Sequence, residues 1–172
     1  MFLRPEFVAP RLRGSFGREY HWAEETPSTM RLLPPDAGHG AVAVAEHQTE
    51  GRGRLGRVWV DEAGTGLALS VALHPPPPVA RWPELTLVAA RAVAAAIGDR
   101  ATIKPPNDVL VEGRKAAGIL AEASERVVLG IGVNVGAAPW PGAGFVDADR
   151  LELLVGILAE LEIGYDAWLR DR

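Results

Sequence analysis

The chain has 172 residues, a formal net charge of −4 and no cysteine. That length suits one well-buried domain and is short for two, and the balance of apolar and charged residues is ordinary for a globular protein. A disulfide framework, a thiolate metal site and a cysteine nucleophile are excluded, and the mild acidity gives no basic footprint for nucleic acid.

The first twenty residues read as irregular, with Arg11, Arg13 and Arg18 spaced by glycine and small residues; an ordered arm and a loose tail both fit. Pro5 and Pro10 and the lack of a long apolar core argue against a signal peptide. No apolar run approaches the ~20 residues that span a membrane, so cytoplasm is the expected compartment.

Ser28 suits the cap of a short helical turn that runs to Leu33, where Pro34 and Pro35 stop it. Small and β-branched residues from Ala41 to Glu46 predict a buried strand. Gln48 to Arg57 is polar and rich in glycine and arginine, with almost nothing to bury, and reads as a loop. Val58 to Val60 and Leu67 to Leu73 read as strands on either side of a turn at Gly64 and Gly66, and Pro75 to Pro78 as a stiff connector.

The clearest helix runs from about Pro83 to Ile97, with Leu85, Val88, Ala89, Ala92, Val93 and Ala96 on one face and Gly98 as its stop. Strand-like runs follow at Ala101 to Lys104, Val109 to Glu112, Lys115 to Ala123 and Arg126 to Val135, and Gly113 marks a hairpin. A second helix is predicted from about Asp149 to Ile163, buried along Leu151, Leu154, Val155, Leu158 and Leu161, and interrupted at Gly164. Adjacent strands with short turns and few helices imply an α+β fold with a mixed, mostly antiparallel sheet.

Four stretches carry chemistry. In Gly51-Arg52-Gly53-Arg54-Leu55-Gly56-Arg57, followed by Trp59, glycines let backbone amides approach an anion and arginines supply planar donors for phosphate or carboxylate. The Gly-Lys-Ser/Thr ending of a P-loop is missing, and no helix pattern follows as a dinucleotide fingerprint requires. A solvated arginine-rich turn with RNA affinity is the bland alternative. In Lys104-Pro105-Pro106-Asn107-Asp108, a lysine at a strand end is held by two prolines; a surface turn is the competing reading. In Gly130-Ile131-Gly132-Val133-Asn134-Val135, a glycine-rich strand ends in one amide, which equally suits a backbone-satisfying asparagine. Ser28-Thr29 offers hydroxyls at a helix start.

Taken in order, Ser28-Thr29, Ala45-Glu46-His47-Gln48 leading into GRGRLGRVW, KPPND with RKAAGILAE, and GIGVNV closely resemble the catalytic domain of biotin–protein ligases over about residues 20 to 136. The resemblance implies a class II aminoacyl-tRNA synthetase-like fold, with an N-terminal arm expected over 1–20 and the catalytic domain over 21–172. Many relatives carry an N-terminal helix-turn-helix and a C-terminal β-barrel, and neither is expected in this sequence, whose first twenty residues read as irregular and which stops after the last helix. The resemblance also implies activation of biotin with ATP and Mg²⁺ to biotinyl-5′-adenylate, then transfer to a lysine of the biotin carrier domain of a carboxylase. No membrane and no sequence-specific DNA are expected as partners, and a homodimer stays open.

By matching position, Ser28, Thr29 and Gln48 are expected to hold the biotin head, and Arg52, Gly53 and Arg54 its carboxylate and the phosphate. Lys104 is expected to be the catalytic cation, acting with Arg52 and Arg54. Gly118 permits close approach. Arg57, Trp59, Asn107 and Asn134 are assigned to the nucleotide, with Trp59 packing over adenine or anchoring the loop, and Asp108 to Mg²⁺, directly or by support. Met30 and Pro105 depart from the family's usual asparagine and tryptophan. A glycine-rich loop of this kind is expected to be poorly ordered over 49–57 without ligand. Rival readings are a lipoate or octanoate ligase or transferase of the same fold, a non-catalytic biotin-binding module, and an arginine-loop RNA-binding protein.

Overall fold

The structure, a computed structural model, describes residues 2–171. Seven strands form one sheet: β1 (Tyr20–Thr26), β2 (Val42–Gln48), β3 (Gly66–Leu73), β4 (Ala101–Lys104), β5 (Asp108–Val111), β6 (Arg114–Ala123) and β7 (Val127–Asn134). Their spatial order is β1-β2-β3-β7-β6-β5-β4. Only β1 and β2 run parallel; every other strand pairing is antiparallel, with short turns joining β4 to β5, β5 to β6 and β6 to β7. Four helices accompany it: α1 (Pro5–Val8), α2 (Thr29–Leu32), α3 (Glu84–Ile97) and α4 (Arg150–Arg170).

Strand periodicity sorts the side chains onto two faces. Val42, Val44, Leu67, Leu69, Val71, Leu73, Leu129, Ile131 and Val133 face a large core shared with α3 and α4. The alternate residues Ala43 and Ala72 face the other way, into a small cluster with Leu33 and Ala37 beside α2. The helices therefore cover one face of the sheet and leave much of the other for a cleft.

The two long helices cross where side chains are small. A Cβ on Gly164 would lie 3.1 Å from Val88 Cγ1, and one on Gly156 3.5 Å from Ala96 Cβ. Gly164 thus does not end the last helix, contrary to the expectation. It admits α3 at a close approach, and α4 continues to Arg170 with Tyr165 and Trp168 buried. Asp149 caps α4 by accepting from the Glu152 amide at 2.9 Å.

One open alternative closes, one strand is added and one expected strand is lost. Residues 2–19 form the ordered arm, with Leu3, Val8 and Phe16 in the core and the Leu3 amide bonded to Glu46 Oε1 at 2.6 Å. Tyr20–Thr26 is a strand that the sequence reading passed over. Val58 to Val60 is not one: Val58 makes a single bridge to Arg52 and is exposed. The hairpin at Gly113 stands, with Glu112 and Gly113 both at positive φ (53° and 74°), as a tight two-residue turn demands. Among the described residues, no helix is long and apolar enough to cross a membrane.

Candidate active site

Register explains the floor of the cleft. Ser70, Gly130 and Leu120 lie opposite one another across β3, β7 and β6, and Ala68, Gly132, Gly118 and Asp108 form the next such row across to β5. Both rows face away from α3 and α4. Because three of these positions are glycine, the floor is bare main chain and other groups can settle onto it. A Cβ on Gly132 would sit 2.4 Å from the Trp59 ring, and one on Gly130 would sit 3.1 Å from Met30 Sδ. The resulting cleft has about 470 Å³ of free space, counted out to its solvent mouth.

At one end of the cleft, Gln48 Oε1 accepts from the Thr29 amide at 2.8 Å and from its hydroxyl at 3.2 Å, while Thr29 and Ser70 share a hydroxyl contact of 2.8 Å. Ser28 caps α2 by accepting from the Met30 amide at 3.2 Å. Ser28 and Thr29 are buried, so this end is a preorganised polar pocket suited to a small ring bearing amide-like groups.

The other end is cationic. The loop after β2 brings Arg52, Gly53 and Arg54 to the lining. Arg52 Nη1 pairs with Glu122 at 2.9 Å, and its Nη2 lies 3.9 Å from Met30 Sδ. Arg54 Nη1 donates to Asn107 Oδ1 at 3.3 Å, and Asn107 Nδ2 in turn donates to the Ile119 carbonyl at 3.1 Å. Trp59 anchors the loop: its amide donates to the Gly51 carbonyl at 2.9 Å, and its ring lies on the glycine floor.

The lysine in the cleft is Lys115, which the sequence reading quoted without giving it a role. Its Nζ is 3.0 Å from Asp108 Oδ1 and 5.9 Å from the centroid of the Trp59 ring. A register shift between β5 and β6 puts it there. Ala116 and Ala117 both turn to the core, and Lys115, opposite Leu110, emerges on the cleft face. Lys104, the expected catalytic cation, lies instead on the exposed end of edge strand β4, outside the lining.

The remaining expected residues divide. Gly118 is on the floor, with Lys115 Cε 3.3 Å from where its Cβ would be. Arg57 is exposed and borders a neighbouring hollow on the other side of the loop, with Val58 and Glu122. Asn134 is buried outside the cleft and donates to the Gly144 carbonyl at 3.0 Å, which matches its bland alternative. Asp108 is engaged by Lys115, and among the described residues no group of three histidine, cysteine or acidic side chains gathers that could hold a metal ion. Asp108 alone, already paired with Lys115, does not make a resident Mg²⁺ cage.

Comparison with known proteins agrees with this arrangement. Residues 22–136 match the model of the biotin/lipoate A/B protein ligase family. A biotin–[acetyl-CoA-carboxylase] ligase of Mycobacterium tuberculosis is 38% identical over 195 aligned positions, covering 96% of this chain and 73% of the relative. The bifunctional ligase/repressor BirA of Bacillus subtilis is 42% identical over 118 positions, 63% of this chain; the chain spans 36% of that relative's length. The biotin protein ligase of Aquifex aeolicus, solved with biotin and ATP, superimposes with a TM-score of 0.78 at 31% identity, covering 90% of this chain and 73% of that one. This chain belongs to the biotin/lipoate A/B protein ligase family.

Proposed function

We propose that this chain activates biotin with ATP and passes the biotinyl group to a lysine of a carboxylase's biotin carrier domain. In the first step a biotin carboxylate oxygen attacks the α-phosphorus of ATP, and pyrophosphate leaves. In the second the acceptor amine attacks the acyl carbon, and AMP leaves with the electron pair of the broken acyl–phosphate bond. The single observation that carries this reading is the cleft's polarity. A hydroxyl and amide pocket (Ser28, Thr29, Gln48) lies at one end and three cations (Arg52, Arg54, Lys115) at the other, over a floor of bare backbone.

No covalent enzyme intermediate is required, so catalysis rests on positioning and on stabilising charge as it spreads over the phosphoryl and carboxylate oxygens. Lys115 is the best-placed cation for the carboxylate and α-phosphate; Arg52 and Arg54 hold the phosphate side, with the Gly53 amide close to them. Mg²⁺ is carried by the nucleotide. The activity of the Mycobacterium tuberculosis relative and the biotin and ATP bound by the Aquifex aeolicus ligase support the same substrates.

Biotin-dependent exchange of labelled pyrophosphate into ATP, with Mg²⁺ and no acceptor, tests the reading. Exchange with biotin and none with lipoate is the expected result. Exchange with lipoate alone would move the chain to the lipoate branch of the family, and biotin binding without exchange would make it a binding module.

A further inference from the structure

The loop that carries Arg52 and Arg54 leaves the sheet at Gln48, and Asp61, on its far arm before β3 begins at Gly66, ties that arm back to the point of departure with one carboxylate. Asp61 Oδ1 lies 2.7 Å from His47 Nδ1 and 3.2 Å from the Gln48 amide. The Asp61 side chain is only 7% exposed, and its second oxygen is buried without a protein partner, so both of its bonds run through Oδ1 to the point where the loop departs. An ionised carboxylate only accepts, which requires the imidazole to carry its proton on Nδ1.

Beyond this base the loop zips onto itself. Trp59 donates to Gly51 O at 2.9 Å, Gly53 to Arg57 O at 2.8 Å, and Arg57 to Arg54 O at 3.2 Å. A Cβ on Gly51 would be 2.4 Å from Trp59 O, so the two arms of the stem are in close backbone contact. The clasp also reaches the other end of the cleft, because the Gln48 whose amide it holds is the residue whose side chain bonds Thr29.

We propose that His47 and Asp61 are positioning residues: together they clasp the base of the arginine loop and set how firmly it stays closed over its ligand. Neither lines the cleft. They act through Gln48 and through the stem of the loop, and the consequence for turnover rests on the adenylation reading above. A buried carboxylate that loses its charged or polar donor keeps the cost of burial without the bond that offsets it, so weakening the clasp favours opening of the loop.

Hydrogen exchange of the Gly53, Arg57 and Trp59 amides in the ligand-free protein tests the clasp directly. His47→Ala is expected to speed their exchange about fivefold, the factor carried by one hydrogen bond of ordinary net strength, while β7 amides stay unchanged. His47→Asn, which returns an N–H near the position of Nδ1, is expected to restore slow exchange; His47→Gln, whose amide extends toward the position of Nε2, is not. Unchanged loop exchange in His47→Ala, a parallel rise in β7, or no restoration by asparagine would each overturn the clasp.

A second readout concerns the reaction. His47→Ala is expected to raise KM for biotin several-fold and to speed escape of the adenylate, with a smaller change in kcat for pyrophosphate exchange; an unchanged KM and unchanged escape overturn the functional half. If the wild-type protein exchanges no pyrophosphate with biotin while His47→Ala still loosens the loop, the adenylation reading falls and the clasp stands.

Discussion

Glu46 and Arg150, 104 positions apart, meet at 2.7 Å with 1% and 12% of their side chains exposed. Glu46 also accepts from the Leu3 amide and from Trp22 Nε1, while Arg150 Nε donates to the Gly66 carbonyl at 2.8 Å. One carboxylate therefore joins the N-terminal arm, β1 and β2 to the start of α4. Such a group fixes the relative positions of elements more than it adds net stability, because both charges leave water to make the pair.

Removing the carboxylate takes the acceptor from the Leu3 amide and from Trp22 Nε1–H as well as from the ion pair. Glu46→Leu is expected to destabilise the protein by about 3–5 kcal/mol, the cost typical of removing one partner of a buried pair. Replacing both partners by apolar residues is expected to cost much less. Urea denaturation of the single and double variants checks this.

The pair also gives stability a pH dependence of definite sign. Burial by itself raises the Glu46 carboxyl, but the Leu3 amide, Trp22 Nε1–H and Arg150 outweigh it, and the group titrates below its ordinary value. The contribution is fully present above the unfolded carboxyl value of about 4.3 and is lost as pH falls through the lower folded value. Thermal denaturation of the wild-type protein should fall more steeply below that range than that of Glu46→Gln. Equal slopes would remove Glu46 as the source.

Two lysines distinguish the cleft from the sequence motif. Lys115→Ala is expected to slow biotin-dependent pyrophosphate exchange by about 10²- to 10³-fold, the loss typical of removing one preorganised electrostatic contact. Lys104→Ala, on the exposed end of β4, is expected to cost far less. Parallel kinetics of the two variants at one pH decide it, and a larger loss at Lys104 would return the catalytic cation to the motif lysine.

The contact between Gly132 and Trp59 makes a further test. Gly132→Ala drives a methyl group into the indole, an overpacking change of about 1–3 kcal/mol, and must displace the ring or bend β7. The expected outcome is weaker biotin binding with a shifted tryptophan emission spectrum. Gly136→Ala, where an added Cβ would meet nothing within 4 Å, is expected to leave both untouched despite its positive φ of 81°.

The loop itself should respond to ligand. Beyond its clasped stem and the Trp59 anchor, the tip of the loop is tied by Arg52–Glu122 and Arg54–Asn107, both solvent-facing, and such contacts add little. Amide exchange over 49–57 is expected to slow when biotin and ATP are added together. Equal protection with and without them would remove the loop as a cover for the adenylate.

Much of this architecture was legible before the structure, for reasons that vary by element. The hairpin at Gly113 and the helix to Ile97 announce themselves through turn chemistry and a 3.6-residue stripe. β1 does not: it is an edge strand in which only Tyr20 and Trp22 alternate before Glu24 and Glu25 break the pattern, and nothing before Thr26 is fully buried. Gly164 was read as a stop because glycine disfavours helices locally, whereas the close approach of α3 is a tertiary fact. Lys115 was missed because strict alternation along β6 puts it in phase with Ala117 and Ile119, toward the core. Only the irregular pairing at Val109 and Leu110 turns it round. The loop motif and Ser28-Thr29 were readable because their chemistry depends on residue type alone. Asn134 looked like a ligand group because its bond to the Gly144 carbonyl, ten residues on, leaves no local trace.

Variation at the cleft is one-directional. Where Gly118, Gly130 and Gly132 form the base, a substitution can only add atoms, so changes there make the cavity shallower and never deeper. Room for a bulkier or longer ligand has to come from the groups resting on that base. Met30 is the one free to shrink, since Trp59 also ties down the arginine loop. Divergence toward larger acids in a chain of this design would therefore begin at position 30, and the sheet beneath would record it last.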